Sequence, residues 1–341
     1  MYTKYASGGL MLKFLGASMA IDIGSSQIRF SVEDRDELWS EESVIAIYRV
    51  SDTEESVIAT GADALEMEDR VSENLVVFHP FAFGKISHFD QALLLLRHFL
   101  IEVQGRLLWI APKIRVAIHH NATTEEKQKL VELLLKSGAK KVVLVDRSFA
   151  AAHGADVPVD EACGYMVVNI GASTTEISVL ALDRVAHFSR LHVGSIMINK
   201  AIMSFLEKKF GIEISTFEAE RIKKEHIQAV YRKNDAQQIW VMGKDSLSGV
   251  PKQEEVPVWL LSRSIGPTIR LIANAIQGVL DKLPPELSAD IMRTGLVLVG
   301  GGAKLQGLAS AISIVTQHPV VVPDEPEDCV LWGTWKSPPV T

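Results

Sequence analysis

Two turns built from small residues occur at matching points in the two halves of the chain. Asp22-Ile23-Gly24-Ser25-Ser26 and Asn169-Ile170-Gly171-Ala172-Ser173 each follow an apolar segment and precede another. Such turns present backbone N–H groups that no bulky side chain covers, and successive N–H groups form a concave site for anions. One turn of this kind is typical of an ordinary strand connection. Two at corresponding positions indicate a duplicated domain whose turns could hold a polyphosphate from two sides.

A third turn, Gly300-Gly301-Gly302-Ala303, follows the apolar stretch LVLV and precedes a predicted helix. The absence of side chains at three consecutive positions would let a flat base or a ribose lie against the backbone. The P-loop patterns GxxxxGKS and GxxxxGKT do not occur in the sequence. Together the three turns favour nucleotide binding by a fold other than that of the P-loop proteins.

The segments between these turns alternate between strand and helix patterns. Strands are predicted at 19–23, 27–32, 43–49, 114–118, 141–145, 165–170, 176–182, 295–299 and 319–322, with a hairpin beginning at 237–243. Helices are predicted at 90–103, 123–137, 195–210, 216–231, 260–283 and 305–317. Because strands alternating with helices pair in parallel through crossover connections, the sequence predicts an α/β fold.

The composition narrows the class of protein. The chain has 341 residues, 47% of them hydrophobic, which suits one large or two ordinary domains and excludes intrinsic disorder. The formal net charge of −7 argues against a protein that coats nucleic acid, since such a protein needs a basic face. Two cysteines, Cys163 and Cys329, cannot build a disulfide framework, so we expect a reducing cytoplasm.

Two apolar segments are candidates for contact with a membrane. The first contains Leu12, Phe14 and Leu15, and the second contains Leu107, Leu108, Trp109 and Ile110. The first is too short to cross a bilayer, which takes about 20 residues; it could lie on a membrane, act as a secretory signal or pack on its own domain. The second lies between Arg106 and Lys113, which fits insertion at an acidic lipid surface, unless Trp109 covers a neighbouring helix. We favour peripheral membrane binding by both segments.

These motifs resemble those of the actin-like ATPases and, within that superfamily, of the MreB family of bacterial shape-determining proteins. AIDIGSS resembles the first phosphate motif, VVNIGASTTEISVLAL the second, EAERIKKE the ribose-holding helix and GLVLVGGGAKLQGL the adenosine motif. The resemblance implies an actin-like duplicated fold with a nucleotide cleft. Domain I would span 1–150, with an outer subdomain at about 35–75, and domain II would span 151–341, with an outer subdomain at about 196–258. The last strand and the C-terminal tail would return to domain I.

The resemblance also implies roles for individual residues. Asp22 would hold Mg²⁺ through a water molecule, and Thr174 would be a retained catalytic residue. The residues implied to contact the nucleotide are Asp22, Gly24, Ser25, Ser26, Gln27, Asn169, Gly171, Ala172, Ser173, Thr174, Glu220, Lys223, Lys224, Gly300, Gly301, Gly302, Ala303 and Lys304. Two of these, Ala172 and Ser173, replace glycines of the family pattern. The expected ligand is ATP, with ADP or GTP as alternatives, together with Mg²⁺.

Two further positions depart from the family pattern. The family has a glutamate that polarises the attacking water where this chain has Arg147, and an arginine cannot accept a proton. An aspartate that helps to hold Mg²⁺ is replaced by Asn169, which lacks the charge. We therefore expect weak or absent hydrolysis and weakened nucleotide binding. Arg147 could contact a γ-phosphate directly, or it could pair with Asp146 or Glu176 in a decayed site.

The resemblance implies a filament protein in the cytoplasm, peripheral on the inner face of the cell membrane, that organises cell-wall synthesis and cell shape. Its partners would be further copies of itself, another MreB-type subunit, inner-membrane lipid and the cell-wall synthesis machinery, but no nucleic acid. Arg147 and Asn169 favour an alternative, a non-hydrolysing paralogue that acts as a scaffold or copolymerising regulator. An actin-fold kinase or chaperone is a weaker alternative, because the sequence shows neither a catalytic carboxylate nor a long substrate domain.

Overall fold

The chain folds into two compact units in its computed structural model. The first comprises Met1–Ala150 with Val330–Thr341, and the second comprises Ala151–Cys329. The structure describes residues 18–33, 35, 37–51, 54–68, 74–104, 111–232 and 235–340. Within those ranges, no helix is both long enough and apolar enough to cross a membrane.

A five-stranded sheet forms the centre of the first unit. The strands are β1 Ser18–Ile23, β2 Gln27–Val32, β3 Leu38–Glu42, β4 Ile45–Ser51, β5 Glu54–Thr60, β6 Leu75–Phe78, β7 Phe81–Ala82, β8 Lys85–Ile86, β9 Lys113–Ile118 and β10 Lys141–Asp146. The helices are α1 Gly61–Glu66, α2 Phe89–Gln104, α3 Thr124–Ser137 and α4 Arg147–Gly154, which continues into the second unit. The central sheet has the order β10-β9-β1-β2-β3, with β9 parallel to both β1 and β10.

Helices α2 and α3 each bury one apolar face against this sheet. Phe30 of β2 and Phe99 of α2 are fully buried and contact each other edge to face, with ring centroids 6.5 Å apart. Thr123 caps the start of α3 through a capping box with Glu126, and Gly138 ends the helix in a left-handed conformation at φ +119°. The sequence prediction of a helix over 123–137 that stops at Gly138 is therefore confirmed.

A second five-stranded sheet forms the centre of the second unit. Its strands and those beside it are β11 Tyr165–Ile170, β12 Thr175–Ala181, β13 Arg184–Leu191, β14 Ile212–Glu213, β15 Gln238–Asp245, β16 Pro251–Pro257, β17 Leu296–Val299 and β18 Val320–Val321. The helices are α5 Ser195–Phe210, α6 Thr216–His226, α7 Val258–Ser264, α8 Gly266–Leu280, α9 Pro285–Thr294, α10 Leu308–Thr316 and, crossing back to the first unit, α11 Cys329–Lys336, with a 3₁₀ turn at Gly301–Lys304. The central sheet has the order β13-β12-β11-β17-β18.

The two central sheets have the same topology. In each, three consecutive strands form an antiparallel meander: β1-β2-β3 in the first unit and β11-β12-β13 in the second. The first strand of each meander also pairs in parallel with a later strand, β1 with β9 and β11 with β17. That later strand pairs in parallel with one more strand, β9 with β10 and β17 with β18. The turns of small residues connect the first and second strands of the two meanders. The internal repeat that the sequence indicated is therefore present in the backbone of both units.

The helix predicted at 260–283 is two helices, α7 and α8. They separate at Ile265 because Pro267 has no N–H to donate, and its ring crowds the carbonyl group four residues earlier. The helix predicted at 305–317 is also shorter, since α10 begins only at Leu308, after Gly307 at φ +76°. Both differences arise at residues whose backbone cannot continue a regular helix.

The helix predicted at 216–231 ends early for a tertiary reason. After His226 the chain turns into an extended conformation at Ile227, whose side chain is buried in the core of the second unit. The N–H of Gln228 donates to the Ser262 hydroxyl at 3.1 Å. Burial of Ile227 and the hydrogen bond to Ser262 stabilise the extended conformation, so the chain leaves the helix although the residues that follow are compatible with one.

The C-terminal region is divided between the units. β18 pairs in parallel with β17, with Val320 opposite Leu296, so this strand lies in the second unit and not in domain I as the sequence analysis expected. The residues from Val330 belong to the first unit. There the Trp335 indole N–H donates to the Ser31 hydroxyl at 2.8 Å. The elements that the sequence did not predict include the helices α1, α4, α9 and α11 and the strand β13.

Candidate functional site

The first turn is a tight hairpin between β1 and β2. The Gly24 N–H donates to the Gln27 carbonyl oxygen at 2.9 Å, and a Cβ on Gly24 would lie only 2.6 Å from that oxygen. Strand β3 supports the turn from the side: the Glu42 carboxylate accepts from Gln27 Nε2 at 3.2 Å and from Ser26 Oγ at 3.4 Å. The Ser43 N–H donates to the Ser26 carbonyl oxygen at 2.7 Å. The turn is thus closed by glycine and supported largely by side chains.

The second turn closes in the same way between β11 and β12. The Gly171 N–H donates to the carbonyl oxygen three residues later at 2.8 Å. The carbonyl oxygens of Gly171 and Ala172 accept from the N–H groups of Ser195 and Ile196, at the start of α5, at 3.0 and 2.9 Å. Peptide bonds are trans throughout the described chain, so each N–H points opposite to the carbonyl of its own peptide unit. The N–H groups of Ala172 and Ser173 therefore point away from α5, as binding of an anion at this turn requires.

The third turn lies directly beside the second. The register of β11 and β17 sets Asn169 opposite Val299, the residue that precedes the triple glycine. A Cβ on Gly300 would lie 2.4 Å from Asn169 Oδ1, and one on Gly302 would lie 2.4 Å from a β11 side chain. A Cβ on Gly301 would meet nothing within 4 Å. The outer glycines thus allow close packing on β11, while Gly301 has an open face that a ligand could approach.

Arg147, the first residue of α4, lies against the strand that enters the first turn. One of its terminal nitrogens lies 3.4 Å from the Ile23 carbonyl oxygen, 3.3 Å from the Ala117 carbonyl oxygen and 3.9 Å from Asp22 Oδ1. The side chains of Arg147 and Asp22 are only 13% and 12% exposed. The structure therefore brings this arginine to the aspartate that the sequence analysis assigned to Mg²⁺.

Neighbouring histidines and acids form separate pairs. Asp146 accepts a hydrogen bond from the Ser148 N–H at 2.8 Å, and its other carboxylate oxygen lies 2.6 Å from His120 Nδ1. His119 is buried, with Nε2 3.6 Å from a Glu126 carboxylate oxygen. In the part of the chain that the structure describes, no three His, Cys, Asp or Glu side chains gather where a metal ion could be held.

Comparison with known proteins decides the family. The family model described as MreB/Mbl protein matches residues 16–338. The chain belongs to the MreB/Mbl family. It is 32% identical over 333 residues to the cell shape-determining protein MreB of Escherichia coli strain K12, and the match covers 96% of each chain.

Solved structures of related proteins share the fold. The crystal structure of MreB 5 of Spiroplasma citri bound to AMPPNP matches with a TM-score of 0.86 at 23% identity, over 94% of this chain and 95% of that one. The MamK double helical filament matches with a TM-score of 0.74 at 17% identity, over 94% and 98%. The predicted α/β, actin-like fold is therefore confirmed.

The residues beside the turns of this MreB-family chain do not fit Mg²⁺. In nucleotide sites Mg²⁺ usually keeps several waters and is bound by one or two carboxylates and the phosphates. Here the Asp22 carboxylate faces the Arg147 guanidinium, and the second turn offers the neutral amide of Asn169. The pair of Asp22 and Arg147 therefore offers no net negative charge to a divalent cation.

The residues predicted to reach the ribose form an ion-pair cluster in the second unit. Glu220 Oε2 accepts from Asn199 Nδ2 at 2.8 Å and from Lys223 Nζ at 2.5 Å, and Lys224 Nζ lies 3.4 Å from Oε1. Burial raises the pKa of Glu220, but the charge of Lys223 and the hydrogen bonds outweigh it, so the pKa lies below its ordinary value. Sequence reasoning missed Asn199, because no local pattern indicates that α5 contacts α6.

The remaining candidates fall into two groups. Ser173 and Thr174 of the second turn are buried, and Lys304 after the third turn forms an ion pair with Glu327. The membrane candidates Leu12, Phe14, Leu15, Leu107, Leu108, Trp109 and Ile110 lie outside the described residues. The structure thus brings together the first turn, Asp22 and Arg147 in the first unit, and the second and third turns in the second unit.

Proposed function

We propose that this MreB-family chain is a nucleotide-binding, filament-forming subunit that organises cell-wall synthesis and cell shape at the inner face of the cell membrane. The observation that carries the proposal is the repeated turn. Gly24 and Gly171 close their turns with the same hydrogen bond, at 2.9 and 2.8 Å, in two sheets of the same topology. The relationship to a cell shape-determining protein over 96% of the chain supports the cellular role.

The nucleotide would be ATP, ADP or GTP. Backbone N–H groups of the turns would bind its phosphates, and the open face of Gly301 would receive the adenosine or guanosine. Glu220, held in its charged form by Lys223, would accept hydrogen bonds from ribose hydroxyls. The description of MreB 5 of Spiroplasma citri as bound to AMPPNP supports this assignment, since the chain shares its fold.

Hydrolysis would be weak or absent. Polarising a water for attack needs a group that accepts a proton, and the side chain at the position of the family's glutamate is the guanidinium of Arg147. Its contacts with the carbonyl oxygens of Ile23 and Ala117 hold that positive charge in place. The chain would therefore retain a bound nucleotide without turning it over at the usual rate.

Thermal unfolding with and without ATP, with phosphate release followed in the same tube, tests this proposal. We expect ATP to raise the unfolding temperature, because a ligand that binds only the native state stabilises it. We expect phosphate release to stay near background in the wild type and to increase in Arg147→Glu. No shift at saturating ATP would contradict nucleotide binding, and rapid release by the wild type would contradict the loss of hydrolysis.

Membrane association would come from the two apolar segments of the sequence. Sedimentation with vesicles rich in phosphatidylglycerol tests it: we expect Trp109→Asp to lose most of the bound fraction, because a charge opposes insertion. Trp240→Asp is a matched control, since Trp240 is 58% exposed on β15 of the second unit. Equal binding by the two variants would contradict a role for the segment around Trp109.

A second candidate is a non-hydrolysing paralogue that copolymerises with an active MreB subunit. The ion pair of Arg147 and Asp22 favours it, because a subunit that cannot hydrolyse would stabilise a mixed filament. The likeness to the MamK filament supports self-assembly in either case. Sedimentation of this chain by itself and mixed with an active MreB distinguishes the two candidate functions. Pelleting of this chain only in the mixture supports the copolymerising paralogue.

A further inference from the structure

Arg147 brings a permanent positive charge to the edge of the sheet where the first turn begins. Ile23 is the last residue of β1 and Ala117 lies near the end of the parallel strand β9, and their carbonyl oxygens both contact the guanidinium. The arginine side chain is therefore positioned by main-chain atoms of two central strands. Its place is set by the fold.

Acidic and basic side chains lie side by side at the first turn. Among the described residues, the acids there include Asp22, beside Arg147, and Glu42, which contacts the turn itself. Two arginines face them, because Arg29 lies opposite Asp22 in the β1–β2 register and donates to the Gln27 side chain at 2.5 Å. A divalent cation placed beside Asp22 would meet the adjacent guanidinium and its repulsion.

We propose that Arg147 takes the place of the divalent cation, so that this chain binds metal-free nucleoside di- or triphosphate. The inference rests on the proposed nucleotide binding and assigns the positive charge that balances the phosphates to Arg147. A guanidinium presents a planar fork of N–H donors that matches phosphate oxygens, and it supplies the charge without coordinated water. The asparagine of the second turn fits the same assignment, since the Asn169 side chain is neutral and adds no negative charge for a cation.

Calorimetric titration of the full chain with AMPPNP, in buffer containing either Mg²⁺ or EDTA, tests the proposal. We expect the wild-type dissociation constants in the two buffers to agree within roughly threefold, a difference below about 1 kcal/mol. We expect the affinity of Arg147→Glu for AMPPNP in EDTA to be roughly tenfold or more below that of the wild type. The substitution removes a charge-assisted contact and adds a repulsive charge. In that variant Mg²⁺ should restore part of the affinity.

Two further variants control for charge and folding. Arg147→Lys keeps the charge but loses the fork, so its affinity in EDTA should lie between those of the wild type and Arg147→Glu. Arg97→Ala removes an arginine from the same unit where it contacts the Lys136 carbonyl oxygen, and it should bind like the wild type. Thermal unfolding of each variant without nucleotide shows whether it has folded.

The outcomes separate this inference from the proposed function. Wild-type binding that falls roughly tenfold or more on removal of Mg²⁺ would overturn the inference and leave nucleotide binding in place. No binding in either buffer would overturn both. Equal affinities of the wild type and a folded Arg147→Lys or Arg147→Glu in EDTA would show that another group supplies the charge, which also overturns the inference.

Discussion

In the first unit the turn after β1 is supported by β3 side chains and by one main-chain bond, whereas in the second unit the turn after β11 is supported by main-chain bonds. Glu42 contacts Ser26 and Gln27 of the first turn. The second turn instead has its carbonyl oxygens bound by the N-terminal N–H groups of α5. Where side chains support a turn, a substitution can change the local charge. Where main-chain bonds support it, the turn depends on the close approach of the two backbones. Arg147 lies beside the first kind of turn.

The largest expected effect comes from disturbing the packing of the second turn. In Gly194→Ala the new Cβ would lie 2.5 Å from the carbonyl oxygens of Gly171 and Ala172. We expect a loss of about 1–3 kcal/mol in the free energy of unfolding, the usual cost of overpacking, together with weaker nucleotide binding. Calorimetric unfolding measures the first and titration with AMPPNP the second.

The matched control for this change is Gly278→Ala in α8. A Cβ on Gly278 would meet nothing within 4 Å, so the same substitution in the same unit should stabilise a helix interior by about 0.5–1 kcal/mol. If Gly194→Ala were as stable as this control, the second turn would not depend on its contact with α5, and the contrast between the two turns would disappear.

A pair of equivalent substitutions compares the turns directly. A Cβ on Gly24 would lie 2.6 Å from the carbonyl oxygen that closes its turn, whereas one on Gly171 would lie 3.3 Å from the equivalent oxygen. We expect Gly24→Ala to lower the free energy of unfolding by about 1–2 kcal/mol and Gly171→Ala by less than about 1 kcal/mol. Calorimetric unfolding of the two variants measures the difference, and the reverse order would show that the hairpins close differently.

The smallest effect should come from neutralising the side-chain support of the first turn. Glu42→Gln keeps an acceptor for Ser26 but removes a negative charge beside the proposed phosphate site. We expect the stability to change by less than about 1 kcal/mol and AMPPNP to bind roughly two- to fivefold more tightly, since exposed charges have small effects. Titration at low and high salt checks the electrostatic cause, because salt screens exposed charges.

Glu55→Gln is the matched control for that change. Glu55 pairs with Arg49 on the neighbouring β4 and β5 strands of the same unit, away from the turn. Its neutralisation should leave the affinity for AMPPNP unchanged. An equal gain in both variants would assign the effect to the net charge of the chain and not to Glu42.

The sequence predicted the strands around both turns and helix α5 closely, because apolar periodicity and glycine turns are local signals. It failed where distant contacts override local preference. The residues after His226 leave the helix because Ile227 is buried in the core and the Gln228 N–H bonds to Ser262. The break between α7 and α8 has a different origin. Pro267 is a local signal for it in the sequence, but the long apolar pattern on both sides favoured one continuous helix.

The sequence by itself determined the positions of the glycine turns, the strands that carry them and the family, and its resemblance to that family singled out Arg147. Only the tertiary structure decided what that arginine contacts. From the sequence, Arg147 could contact a γ-phosphate, Asp146 or Glu176. Its contacts in the structure include Asp22 and the ends of two parallel strands. The physical reason is that local spacing fixes turns and strands, whereas β1 and α4 approach each other only through the order of strands in the sheet.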